Sequence, residues 1–132
     1  MPDNKMFECA LQAQKNSYSP YSKFKVGACI RSKDGQLFSG CNYENASYGL
    51  SLCAEGAAIA AMVNAGHREI AEITIIGSSD TPCTPCGACR QRILEFASSS
   101  TPVNMYGQNG SLLSLSFKEL LPHAFDAKAL RK

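Results

Sequence analysis

Three cysteines stand at intervals of three in "TPCTPCGACRQ", residues 81 to 91: Cys83, Cys86 and Cys89. Thiolates at this spacing can hold a metal ion, and how many of them do so separates two kinds of site. A zinc closed by four protein ligands is a staple, whereas a zinc held by three keeps a coordination position for water and reaction. A further candidate lies upstream at Cys53, directly before Ala54 and Glu55. Cys53 opens one predicted helix, and Cys86 and Cys89 share a face of another if that helix begins at Pro85. Thiolates at helix N-termini are stabilised by the positive end of the macrodipole and by free backbone N–H groups, which lowers their pKa toward metal-ready values. The economical site is therefore one zinc on Cys53, Cys86 and Cys89, with a position left for water and Glu55 beside it. A four-cysteine structural zinc that includes Cys83 is the alternative that spacing leaves open. An iron–sulfur reading fails, because the bacterial run continues C-x3-C-P and this chain has Ile93 at the fourth cysteine's place.

The elements that must position these residues follow from periodicity. Residues 3 to 16 read as a helix, with Phe7, Ala10, Leu11 and Gln14 in helical rhythm, before the turn-rich "NSYSPYS". "FKVGACIRS" and "QLFSGCNYE" flank "KDG", a β-hairpin signal carried by Asp34-Gly35. "CAEGAAIAAMVNAG" reads as a helix ended by Gly66, and the nearly continuous apolar run "AEITIIGSS" as a buried central strand. "PCGACRQRILEFA" is the next helix, with Pro85 in its first turn. "VNMY" and "LLSLSF" straddle "GQNGS" as a second antiparallel pair, and "FKELL" and "DAKAL" are short helical pieces. The order helix, hairpin, helix, strand, helix, hairpin predicts an α/β fold with a mixed sheet and helices on its faces. Cys9, Cys29 and Cys41 fall in apolar runs as small buried hydrophobes. His67 and His123, after Gly66 and Pro122, suit surface or capping roles and lack ligand spacing to the cysteines.

Composition bounds the function. A length of 132 residues corresponds to one domain, 1 to 132, able to bury about two thirds of its unfolded surface without disulfides. Seven cysteines, an odd number, together with an N-terminal "MPDNKMFECALQAQ" that lacks a signal-peptide apolar run, point to the reducing cytoplasm. No stretch reads as a membrane span. Thirteen basic against eleven acidic residues give +2, scattered apart from the tail "KALRK", so no basic face suggests a nucleic acid polymer as partner.

"CAE" followed about thirty residues later by "PCGACRQ" resembles the zinc nucleoside deaminase signature, in which the first ligand stands two before a catalytic, non-ligand glutamate. Five collinear blocks, "YSPYSKFKVGA", "FSGCNYENASYGL", "CAE", "PCGACRQ" and "ELLPHAF", resemble the small homotetrameric cytidine deaminases over nearly the whole chain. The resemblance implies a three-layer fold, a mixed five-stranded sheet with helices on both faces, and one zinc per chain. Family members usually carry an apolar residue at the position of Cys83, which leaves Cys83 outside the ligand set. The resemblance also implies that Asn42 and Glu44 bind the ribose, that Phe24 packs near the base, and that the backbone at Ala54 and Thr84 reads the base's polar edge. Ala46, Tyr48 and Phe125 would complete the site of a neighbouring subunit in a homotetramer.

The chemistry accounts for these residue types. Zinc lowers the pKa of a bound water toward about 7, which supplies a nucleophile at neutral pH. Glu55 can take a proton from that water, pass it to ring N3 and then protonate the departing amine. The expectation is a cytidine and deoxycytidine deaminase of pyrimidine salvage. Two alternatives stand beside it: a deaminase for a modified cytosine nucleoside of the blasticidin kind, and a non-catalytic zinc-stabilised module. The chain departs from its relatives at one place, reading "CAEG" where they commonly read "CAER" with an arginine that donates to the ligand thiolates. Arg90, directly after Cys89, is expected to take over part of that work.

Overall fold

The structure, a computed structural model, describes residues 4–130. Helix α1 (Asn4–Lys15) leads through a loop to strands β1 (Val26–Ser32) and β2 (Leu37–Cys41). A 3-10 turn (Tyr48–Leu50) precedes helix α2 (Ala54–Asn64), strand β3 (Ile70–Gly77) and helix α3 (Gly87–Leu94). Strands β4 (Pro102–Tyr106) and β5 (Leu112–Ser116), helix α4 (Phe117–Leu120) and a second 3-10 turn (Ala127–Leu130) complete the order. Asp3, where the first helix was expected to begin, and Arg131 and Lys132 of the basic tail lie outside the described residues.

The five strands form one mixed sheet in the order β2-β1-β3-β4-β5. β1 runs antiparallel to both β2 and β3, β3 pairs parallel with β4, and β4 is antiparallel to β5. The parallel pair needs a crossover, which α3 supplies. Alternation along the central strands sorts the core into two layers. Ala28, Ile30, Ile73 and Ile75 face α2 and α3 with Ala54, Ala58, Met62 and Ile93, whereas Cys29 and Ile76 face α1 with Met6 and Ala10. Covered on both faces, β3 is buried without a break from Ile73 to Gly77, as its apolar run predicts, while Ala71 and Glu72 near its start are only partly covered. In α1 the buried side is Met6, Ala10, Ala13 and Gln14, so the stripe is shifted from the expected Phe7 and Leu11, which are only partly covered.

Two glycines let helices lie directly on the sheet. A Cβ on Gly27 would fall 2.0 Å from the Ala10 carbonyl oxygen of α1, and one on Gly40 would fall 2.5 Å from the Ala58 nitrogen of α2. Local signals are equally physical. Gly35 turns the first hairpin at φ 89°, and Gly66 ends α2 at φ 94°. Gly66 N–H donates to Val63 O and His67 N–H to Met62 O, which together make a Schellman closure. Ser116 and Glu119 cap α4 reciprocally. The expected start of α3 at Pro85 is corrected. Cys86 is extended (φ −67°, ψ 168°) and caps a helix that begins at Gly87, so proline stands just outside it.

Candidate active site

Cys53 and Cys86 are the N-cap residues of α2 and α3, and neither side chain bonds to its own helix. Both sulfurs are free to point at a common centre, which Cys89 reaches from inside the first turn of α3. The Sγ atoms of Cys53, Cys86 and Cys89 all lie within 4.8 Å of one another, and Cys53 and Cys86 are 3.9 Å apart. Zinc–sulfur bonds of about 2.3 Å at tetrahedral angles place sulfurs about 3.8 Å apart, so the donor set fits a zinc ion in both chemistry and size. The Cys53 thiol is pushed down to about 6, first by the hydrogen bond from Cys89, then by Cys86 and by the charge of Arg92, against the opposing effect of burial. The same shared proton pushes Cys89 up, so the pair favours one thiolate, carried on Cys53. The position of Cys83 differs: burial pushes its thiol up to about 12, with the charge of Glu55 adding to the effect. What sets Cys83 apart from the ligand candidates is position: among the described residues the sulfurs that lie together are those of Cys53, Cys86 and Cys89.

A cleft of about 430 Å³ opens above the sulfurs, a size suited to a small molecule. At its foot lies Glu55, only 4% exposed. Burial raises its pKa to about 7 and the nearby Cys53 adds to this, while its backbone hydrogen bond and Arg92 pull the other way. The carboxyl is thus balanced between accepting and donating a proton near neutrality.

Phe24, Asn42, Glu44, Ala54 and Thr84, all expected from the sequence, line the cleft together with Cys53 and Cys86. Asn42 and Glu44 also hold the loop before β1. The Asn42 amide donates to Phe24 O at 2.8 Å, and its oxygen accepts from Val26 N–H at 3.0 Å and from the Ser17 hydroxyl. Glu44 Oε1 accepts from Tyr21 N–H at 3.0 Å and Ser22 N–H at 3.1 Å, and Oε2 accepts from the Ser22 hydroxyl. These bonds, the hydroxyl first, hold the Glu44 carboxyl below its usual range. Tyr48 stands at the mouth of its own chain's cleft, its ring edge-on to Tyr21 at 5.9 Å. Ala46 is exposed near it. Phe125 is 63% exposed away from the cleft, with its carbonyl accepting from Gln91 Nε2 at 2.7 Å.

The expectation for Arg90 is corrected. Its Nε donates to Pro85 O at 2.9 Å and its Nη1 to Leu120 O at 2.7 Å, so it braces the segment that carries Cys86 instead of reaching sulfur. The guanidinium at the cluster belongs to Arg92, whose Nη1 lies 3.6 Å from Cys89 Sγ. The signal for it was the spacing of three from Cys89, one helical turn. Cys83, Ser22 and Leu52 also line the cleft without having been expected there.

A three-sulfur zinc site with a buried glutamate beside it, set at the foot of a cleft in a three-layer α/β fold, defines a zinc-dependent deaminase. Residues 1–105 match the family described as the cytidine and deoxycytidylate deaminase zinc-binding region. A cytidine deaminase of Halalkalibacterium halodurans is 41% identical over 119 residues, covering 90% of each chain. The crystal structure of cytidine deaminase from Burkholderia pseudomallei superimposes with a TM-score of 0.89 at 42% identity, covering 95% of this chain and 100% of that one. That of the Mycobacterium tuberculosis enzyme gives 0.81 at 36% identity, covering 93% and 96%. The chain belongs to the zinc-dependent cytidine deaminase family.

Proposed function

We propose that this chain, as a single domain over residues 1 to 132, deaminates cytidine and deoxycytidine to uridine and deoxyuridine in the cytoplasm, as a step of pyrimidine salvage. The observation that carries the reading is Glu55: a carboxyl poised near 7 at the foot of a nucleoside-sized cleft, beside the sulfur cluster. Cys53, Cys86 and Cys89 would hold one zinc per chain, which would supply a Lewis acid able to make water nucleophilic at neutral pH. Glu55 takes a proton from the attacking water and delivers it to ring N3. As the C4–O bond forms and the C4 hydroxyl gives up its remaining proton to Glu55, Glu55 passes that proton to the exocyclic nitrogen, the C4–N bond breaks, and ammonia leaves as C4 becomes a carbonyl. Burial keeps bulk water from competing for the carboxyl's proton.

Recognition falls to the walls of the cleft. Phe24 packs against the base, and the backbone at Ala54 and Thr84 reads its polar edge. Asn42 retains one amide hydrogen, and Glu44 Oε2 retains lone pairs, for the ribose hydroxyls after their loop bonds are made. Contacts centred on the 3'-hydroxyl admit both sugars. Ala46, Tyr48 and Phe125 are well exposed and suited to completing a neighbouring subunit's site in a homotetramer. The direct test is the ultraviolet change as cytidine becomes uridine, followed with and without a zinc chelator. No uridine from zinc-loaded protein would end this reading.

A further inference from the structure

Arg92 lies one turn past Cys89 on α3, and its Nη1 is 3.6 Å from Cys89 Sγ. Its charge also acts on Cys53 and Cys86. Two observations set it apart from an ordinary surface arginine. Among the described residues no carboxylate forms an ion pair with it, although the ion pairs found elsewhere hold Arg31 and Lys33. The second lies on the facing helix at position 56. A Cβ on Gly56 would sit 3.7 Å from Arg92 Cδ and 3.9 Å from its Nε, with Leu52 Cδ1 at 3.2 Å. Any side chain longer than a methyl at 56 would therefore enter the space that the arginine's stem crosses.

We propose that Gly56 and Arg92 act as a pair: the glycine of α2 leaves a channel between the two helices, and through it Arg92 reaches the sulfur cluster as a positioning residue that draws negative charge from the thiolates. The inference rests on the zinc site proposed above. Three thiolates bring three negative charges to a dication's two positive ones, and the excess weakens the ion's pull on an oxygen ligand. The N-termini of α2 and α3 offset part of it. A guanidinium hydrogen-bonded to sulfur offsets more, and Arg90, committed to two carbonyls, leaves that task to Arg92.

The test uses the full chain loaded with zinc for kinetics and with cobalt(II) for spectroscopy, because the thiolate-to-cobalt charge-transfer band reports electron density at sulfur. Arg92→Gln lowers kcat on cytidine about tenfold, the loss expected for one hydrogen bond to a charged group. KM stays within about twofold, since the arginine touches the ligand thiolates and not the nucleoside. The cobalt band moves to longer wavelength, as a thiolate relieved of a hydrogen bond releases its electron at lower energy. Arg92→Lys restores part of both effects. Gly56→Arg in the Arg92→Gln background brings a guanidinium from the other helix and returns the band toward its parent position. Gly56→Leu alone, which fills the channel without charge, reproduces the Arg92→Gln spectrum and keeps the question decidable should Arg92→Gln fold poorly. A cobalt band unmoved in Arg92→Gln and Gly56→Leu overturns the proposal whatever the rate does. A parent chain that shows the thiolate band but makes no uridine overturns the deaminase reading, and the band shift then decides the arginine by itself.

Discussion

Near neutral pH a surface glutamate is fully ionised, whereas Glu55, raised by burial to about 7, is present in both forms and can accept a proton and give it back. Glu55→Gln keeps the shape and the buried position but removes the exchangeable proton. Turnover should fall by at least about a hundredfold, with one zinc per chain retained by metal analysis. Turnover close to the parent's would remove Glu55 from the proton path. The cysteines give the companion prediction. Serine at Cys53, Cys86 or Cys89 should lose zinc, because a hydroxyl is a poor replacement for a thiolate, while Cys83→Ser should keep it. Burial favours the neutral Cys83 thiol below about 12, and only the thiolate is alkylated, so its reaction with iodoacetamide in the zinc-loaded protein should be slow at neutral pH and quicken toward strong alkali. Alkylation of Cys83 at the rate of a free thiol near neutrality would contradict its burial. The clustering of Cys53, Cys86 and Cys89 beside Glu55 was legible because thiolate spacing is a local property. Arg92 was not, since Arg90 and Arg92 are both near Cys89 in the chain. Which of them turns to sulfur depends on the carbonyls of Pro85 and Leu120, and Leu120 comes from a distant segment.

Elements carry the site through close packing, and Gly40 is where that packing is tightest against α2. Its added Cβ would meet backbone at both Ala58 N (2.5 Å) and Ala54 O (2.6 Å), atoms that cannot turn aside as a side chain would. Gly40→Ala should therefore push α2 outward, costing about 1–3 kcal/mol of stability in denaturant unfolding, and should lower turnover because Cys53 and Glu55 ride on that helix. A variant as stable as its parent would show that α2 sits more loosely on β2 than the geometry indicates. The sequence marked the turns well, since Asp34-Gly35 and Gly66 announce themselves through their backbone needs. Strand ends were less legible. "QLFSGCNYE" alternates plausibly as far as residue 44, yet β2 stops at Cys41: Asn42 N–H still donates to Val26 O of β1, but Asn42 O and Glu44 N–H bond to Tyr18, and Tyr43 pairs with Leu52. The start of α3 also moved, because proline suits both the first helical position and the extended residue before a cap, and the chain uses the second.

Across the whole molecule, large apolar side chains stand in water near the cleft and at the far end of the chain: Tyr48 at 65%, Leu50 at 67% and Phe125 at 63% exposure. A homotetramer would cover them, and native mass spectrometry should find four chains. Sharing of sites makes a sharper prediction. Phe125→Ala and Glu55→Gln should each be nearly inactive alone, yet chains of the two variants refolded together should regain activity, because a mixed assembly contains sites with both residues intact. Mixtures no more active than their components would mean that each chain's site is complete in itself. The α/β layering was legible from the alternation of helical and extended patterns, but nothing in residue periodicity encodes assembly, which came only from resemblance. The two helix starts without a side-chain cap bond have a further effect on the molecule. The side chains of Cys53 and Cys86 make no hydrogen bond to the first N–H groups of α2 and α3. Where a helix start is ordinarily fastened by a serine or aspartate side chain, these two would be fastened by a dissociable ion once zinc is bound. Chelation should therefore speed deuterium uptake at residues 54–57 and 87–90 ahead of the sheet, and open the same two turns to proteases. In a cell starved of zinc, the half-life of this chain would then track the metal supply, and enzyme without its ion would be degraded rather than stored.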